Sequence, residues 1–148
     1  MDKKAVFGAC MDLLGKRITE LQASLESLKS DLETAGKSSA GDKHETARAM
    51  MQLEEDKICG QLKDAIDQKT VLEKLPFEGL TDKVRQGHLV GTDKGYFYLG
   101  ISLGKVLKQD TFFYAISADT PMGQMLLNRS VGEVISMRGT SYRITCIS

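Results

Sequence analysis

The sequence predicts an α+β chain. An antiparallel α-helical coiled-coil hairpin over residues 1–76 precedes a small antiparallel sheet domain with one short helix over residues 77–148. Three observations predict it. Apolar residues recur at heptad spacing in the first part, no proline occurs before Pro76, and after Pro76 short aromatic and β-branched runs alternate with glycine turns.

The first helix carries Leu14, Ile18, Leu21, Leu25, Leu28 and Leu32, spaced 4, 3, 4, 3, 4. That is an a/d stripe, and the Gln, Ser, Glu, Lys and Asp between suit a solvated face. The stripe ends at the small, polar cluster Thr34–Asp42, which predicts a turn, with the hairpin tip at about residues 36–46. A second helical pattern places Ala47, Met51, Ile58, Leu62, Ala65 and Leu72 near one face, interrupted by Glu54 and Lys69 and widened by Leu53 and Ile66; Pro76 closes it. Each arm of about 30 residues spans roughly 45 Å. No third helix is predicted to cover the pair, so a projecting two-stranded coiled coil is expected. The stripe also suits an intermolecular seam, but the short turn favours closure within one chain.

In the second half, Val84–Val90 reads as a strand, Gly91–Gly95 as a turn, and Tyr96–Ile101 and Thr111–Ser117 as strands. Thr120 as N-cap and Pro121 at the first helical position open a short helix between Asp119 and Asn128. Val131–Met137 and Ser141–Ile147 form a closing pair around Arg138–Thr140.

Composition narrows the function. The 148 residues hold 20 basic and 20 acidic side chains, which argues against a nucleic-acid coat acting through a general positive field and leaves a local patch open. The balance is split: residues 1–76 carry 12 basic and 14 acidic groups, and residues 77–148 carry 8 and 6. The stretch Met1–Leu14 lacks a signal-peptide pattern, and no run approaches the ~18 apolar residues of a membrane span. Cys10, Cys59 and Cys146 are far apart and odd in number, which predicts reduced, buried or half-buried thiols and not a zinc or dithiol site. A cytoplasmic monomer that makes no membrane contact is expected.

The chemistry-bearing residues concentrate at Gly41-Asp42-Lys43-His44-Glu45. Two carboxylates three residues apart lie on one side of a helix start. Mg²⁺ takes one or two protein carboxylates and keeps its other positions for water and phosphate, so such a pair suits a shared metal site. The same spacing also resembles a capping box. His44 is available as a ligand or proton carrier, or is a plain loop residue; His88 reads as structural. No G-x-S-x-G, Walker or G-x-G-x-x-G pattern appears, so no autonomous active site is visible. The aromatics Tyr96, Phe97, Tyr98, Phe112, Phe113 and Tyr114 fit a core, or less well a prolyl-isomerase pocket.

Together these motifs resemble the Gre transcript-cleavage factors of bacterial RNA polymerase, over nearly the whole chain. The family tip pattern Gly-Asp-x-x-Glu-Asn-Ala stands here as Gly41-Asp42-Lys43-His44-Glu45-Thr46-Ala47. A second family stretch stands as Ile116-Ser117-Ala118-Asp119-Thr120-Pro121-Met122-Gly123, then Leu126-Leu127, then Val131-Gly132-Glu133. The resemblance implies an FKBP-like C-terminal domain that docks on the rim of the polymerase secondary channel, with Asp119, Thr120 and Pro121 contributing. It implies that the hairpin inserts toward the active site and that Asp42 and Glu45 help hold the polymerase's second Mg²⁺ near the nascent RNA 3′ end. The chain is then an accessory factor that stimulates the polymerase's own nuclease, with no cofactor of its own. Thr46 in place of the family Asn, and Arg48-Ala49 where a Glu-aromatic pair is usual, admit a second reading: a non-catalytic channel binder that inhibits or modulates the polymerase.

Overall fold

The computed structural model describes residues 1–36, 41–79 and 81–148, with side chains described outside 35–44 and 80. The chain runs α1 (Lys3–Gly36), α2 (Gly41–Lys74), β1 (Leu89–Thr92), β2 (Gly95–Leu99), β3 (Gly104–Lys108), β4 (Thr111–Ile116), α3 (Pro121–Leu126), β5 (Val134–Met137) and β6 (Thr140–Ile147). The architecture is α+β, as expected. It divides into two compact units, Leu13–Lys69 and Met1–Asp12 with Thr70–Ser148. The sheet unit thus takes in the first turns of α1 and the last of α2, beyond the boundary expected at residue 76.

Within Leu13–Lys69 the helices run antiparallel. Arg17 and Leu21 share a groove with Gln61, Asp64, Ala65 and Gln68, while the later residues Ser27, Leu28 and Asp31 share one with the earlier Glu54 and Ile58. Leu14 is buried, and Ile18, Leu21, Leu25, Leu28 and Leu32 are half-buried while their neighbours are exposed. The α1 stripe therefore forms the seam. On α2 the seam is Met51, Glu55, Ile58, Leu62, Ala65 and Lys69, an unbroken heptad alternation. Glu55, not Glu54, occupies the interrupting position. Leu53 and Ile66 do not widen the seam: they are 69% and 44% exposed, and Ala47 is exposed too. A two-helix seam covers two positions per heptad, and a wider stripe needs a third helix.

The remaining unit centres on a six-stranded sheet of order β3-β4-β2-β1-β6-β5. Four junctions are antiparallel, but β2 and β4 run parallel, from Tyr96 opposite Phe113 to Leu99 opposite Ile116. The expected all-antiparallel sheet is therefore mixed. The reason is β3, which sequence reading missed. It carries the chain to the outer edge, so β4 returns beside β2 in the same direction. Its GKVLK sequence hides it, because two lysines and a glycine mask the alternation, as is common at sheet edges. The expected strand Val84–Val90 begins only at Leu89. Val84 instead pairs outside the sheet, accepting from Asn128 N–H (2.9 Å) and donating to the Arg129 carbonyl (2.8 Å). Val131–Glu133 likewise lies before β5. The β5–β6 turn has positive φ at both central residues, Arg138 (48°) and Gly139 (80°), the twist a two-residue hairpin needs.

One sheet face packs on α3, with Val84, Val90, Phe97, Leu99, Met122, Leu126, Ile135 and Ile144 forming a core. Tyr98 and Phe113 point to the opposite face, where they are fully buried, as are Val6 and Cys10 near the start of α1. Asp2 caps that helix, accepting from the Lys4 and Ala5 N–H groups at 3.3 Å. Burial pushes the Cys10 thiol up to about 12, so it is an inert core residue. Cys59 and Cys146 are free and exposed, more open than expected.

His88 is the buried polar side chain among the described residues. Its Nδ1 accepts from Arg85 N–H at 3.0 Å, so that nitrogen carries a lone pair. Desolvation first, then the charge of Lys3, holds its pKa below the ordinary imidazole value. A depressed folded pKa means the unfolded chain binds the proton more readily. The stabilising neutral form is present above about pH 6.5 and is lost as pH falls through the folded value. Urea midpoints are therefore expected to drop between pH 7.5 and pH 5 in the parent, and to drop less in His88→Gln. Equal pH slopes in the two proteins count against this role.

Candidate functional site

The two predicted site regions lie in different units. Gly41 opens α2, so Asp42 and Glu45 stand in the first turn after the hairpin connection. The connecting residues 37–40 lie outside the described residues, as do the side chains of Asp42, Lys43 and His44. Glu45 is exposed, and no hydrogen bond or ion pair to another described residue engages it. Hard oxygen donors of this kind suit Mg²⁺. Among the described residues no group of three or more His, Cys, Asp or Glu could hold a metal ion.

The second region, Ser117–Glu133, is built by local hydrogen bonds. Thr120 has extended φ and ψ (−68°, 154°) and caps α3: its Oγ1 accepts from Gly123 N–H at 3.1 Å. The same hydroxyl donates to the Ser117 carbonyl at 2.8 Å, which also accepts from Thr120 N–H at 3.2 Å. Pro121 takes the first helical position, where no N–H is needed. Gly123 packs against the Ser117–Ala118 backbone so closely that a Cβ would run into the Ser117 carbonyl oxygen and lie 3.0 Å from the Ala118 Cα. Downstream, Glu133 accepts from Ser130 N–H, and Gly132 adopts a φ of +91°.

Most motif residues here are thus accounted for by the fold itself. Ser117, Thr120 and Gly123 build the turn, cap and close contact that hold α3, while Gly132 and Glu133 bond the following segment to Ile144 and Ser130. Asp119 and Pro121 are exposed, as are Val131 and Gly132, and Thr120 lies between the first two as the cap of α3. Thr120→Ala is expected to cost about 1 kcal/mol through loss of the cap, and Thr120→Ser to recover most of it. Urea unfolding checks this, and a serine variant no better than alanine contradicts it.

Sequence reasoning missed a further set on the sheet. Lys105 and Leu107 on β3, with Phe112 on β4, are exposed on one face. The available signal was weak, a short Lys105-Val106-Leu107-Lys108 run without clear alternation before Gln109-Asp110.

The comparisons with known proteins are sparse. No family model matches the chain, and no curated protein matches it. Among solved structures the chain is similar to the transcription factor Gfh1, with 19% identity, 94% of this chain and 93% of that chain covered, and a TM-score of 0.39. At that level of similarity, what the chain does has to be read from its own residues.

Proposed function

We propose that this chain is a Gre-like transcription elongation factor that acts on bacterial RNA polymerase through the secondary channel and stimulates hydrolysis of backtracked RNA. The observation that carries the reading is the exposed Glu45, set three residues after Asp42 in the first turn beyond an antiparallel helix–helix connection. In this reading the sheet unit docks on the channel rim through the Asp119–Pro121 loop, held rigid by the Thr120 cap. The seam of α1 and α2 keeps the hairpin straight as it enters.

Asp42 and Glu45 would hold the polymerase's loosely bound second Mg²⁺ and orient a water toward the scissile phosphate. The metal, when bound, supplies Lewis-acid activation and charge neutralisation at that phosphate. The polymerase performs the cleavage, and this chain contributes ligands and position. A purified backtracked elongation complex tests the reading. Mg²⁺-dependent RNA shortening above the polymerase background is the expected result, and none overturns it.

One observation favours a second reading. Arg48, exposed one turn past the acids, places a cation where the family usually carries an acid, and Lys43 adds another beside them. A channel binder that blocks without cleaving slows elongation without shortening the RNA and competes with an active Gre factor.

A further inference from the structure

Among the described residues, α3 covers one end of the sheet face it packs on. Across it runs an aromatic row: Phe112 to Tyr114 (5.9 Å, edge-on), Tyr114 to Phe97 (5.6 Å, stacked) and Phe97 to Tyr142 (5.8 Å, edge-on). Toward α3 the row is buried, with Phe97 in the core. Toward the β3 edge it opens. Leu107 is 70% exposed and sits directly opposite Phe112, itself 39% exposed. Lys105, next along the same face, rests its ammonium 3.9 Å from the Phe112 ring centroid. Among the described residues no carboxylate pairs with Lys105, whereas Lys94 at the far end of the row is held by Asp93 at 3.6 Å.

We propose that this open end is a docking surface for an acidic polypeptide segment. It would seat an apolar side chain between Leu107 and Phe112 and a carboxylate on Lys105. Three features select that occupant. An aliphatic side chain this exposed, paired with an exposed ring, gains most from an apolar protein group. The cation of the patch is unmatched among the described residues and rests on the ring, so an incoming carboxylate meets no competing acid there. Single-stranded nucleic acid fits poorly: the rings of the row are spent on one another, and residues 77–148 carry only two excess positive charges. Lysines on an edge strand often serve only to block strand pairing. Lys105 instead lies over its own sheet face, so the occupant covers the face and not the free edge.

The inference rests on the reading that the sheet unit docks on RNA polymerase, and adds a second contact apart from Asp119 and Pro121. The test is fluorescence anisotropy of the full-length labelled chain titrated with purified bacterial RNA polymerase, with circular dichroism of each variant. Leu107→Ser with Phe112→Ala is expected to weaken binding roughly ten- to a hundredfold. Lys105→Glu, a change at an exposed position that leaves the sheet intact, is expected to weaken it about tenfold and to flatten its salt dependence. Val134→Ser, exposed at the opposite edge strand, is expected to bind like the parent. If the double variant and Lys105→Glu both bind within about threefold of the parent, this surface is overturned while polymerase docking stands. If the unaltered chain does not bind the polymerase, the docking reading fails and this surface with it.

Discussion

Replacing Asp42 and Glu45 together by alanine is expected to reduce stimulated RNA cleavage by about a hundredfold or more while leaving polymerase binding within twofold. The magnitude is that of removing a positioned acid–base or metal-completing group from an active site. Glu45 is exposed and bonds to no other described residue, so its removal leaves the hairpin seam untouched. Alanine is also a strong helix former in the first turn of α2. The companion variant Glu45→Gln keeps size and polarity but removes the charge. It separates ligation from packing: loss of cleavage equal to that of Glu45→Ala points to the carboxylate itself. Full cleavage by the double alanine variant sinks the role assigned to the tip. A parent chain that binds, slows elongation and never shortens RNA moves the whole assignment to the blocking reading.

Gly123→Ala is expected to be the most damaging single-methyl change in the sheet unit. The new Cβ meets the Ser117 carbonyl oxygen, the Ala118 Cα at 3.0 Å and the Thr120 Oγ1 at 3.0 Å. Two of these contacts are backbone and cannot swing aside. Relief requires α3 to lift away, which breaks the Thr120 cap and opens the Met122 and Leu126 packing. Overpacking of this kind costs about 3 kcal/mol, a fall in Tm of roughly 10 °C. Gly60→Ala is the matched control, because a Cβ there meets nothing within 4 Å and lies in mid-helix. It is expected to raise stability by about 0.5–1 kcal/mol. Calorimetric melting of the two variants checks the contrast. Polymerase affinity of Gly123→Ala below its melting temperature then reports whether the Asp119–Pro121 loop needs α3 beneath it.

The helices were legible because a heptad stripe is a local, repeated signal. Leu14 to Leu32 needed no partner in view to mark a seam. Periodicity fixed the axis of α2 as well, but not its inward face: Glu55 and Lys69 sit on the seam while Leu53 and Ile66 face solvent. Which apolar residues win depends on the number of helices present, and that is not a property of one helix. The short helix after Asp119 was legible for another reason. A threonine cap and a proline at the first position are chemical punctuation, read without long-range information.

β3 and the parallel β2–β4 pairing were not legible. An edge strand is half solvated, so its sequence lacks the apolar alternation that marks a central strand. The direction of β4 relative to β2 follows from where β3 is placed. The exposed Leu107–Phe112 pair, created by that hairpin, was hidden for the same reason.

By itself, the sequence determined the two-part α+β organisation, the seam of α1, the cap of α3 and the position of an acidic pair just after the helix–helix connection. All are set by contacts within a few residues, or by a period repeated along one helix. Only the tertiary structure decided the sheet order, the division that gives the first turns of α1 to the sheet unit, and which motif residues the fold consumes. It left Asp119 and Pro121 exposed, enlisted Thr120 and Gly123 in holding α3, and tied Glu133 into the turn before β5. Those outcomes depend on pairings between segments far apart in the chain, where backbone hydrogen bonds and close packing decide which side chains remain free.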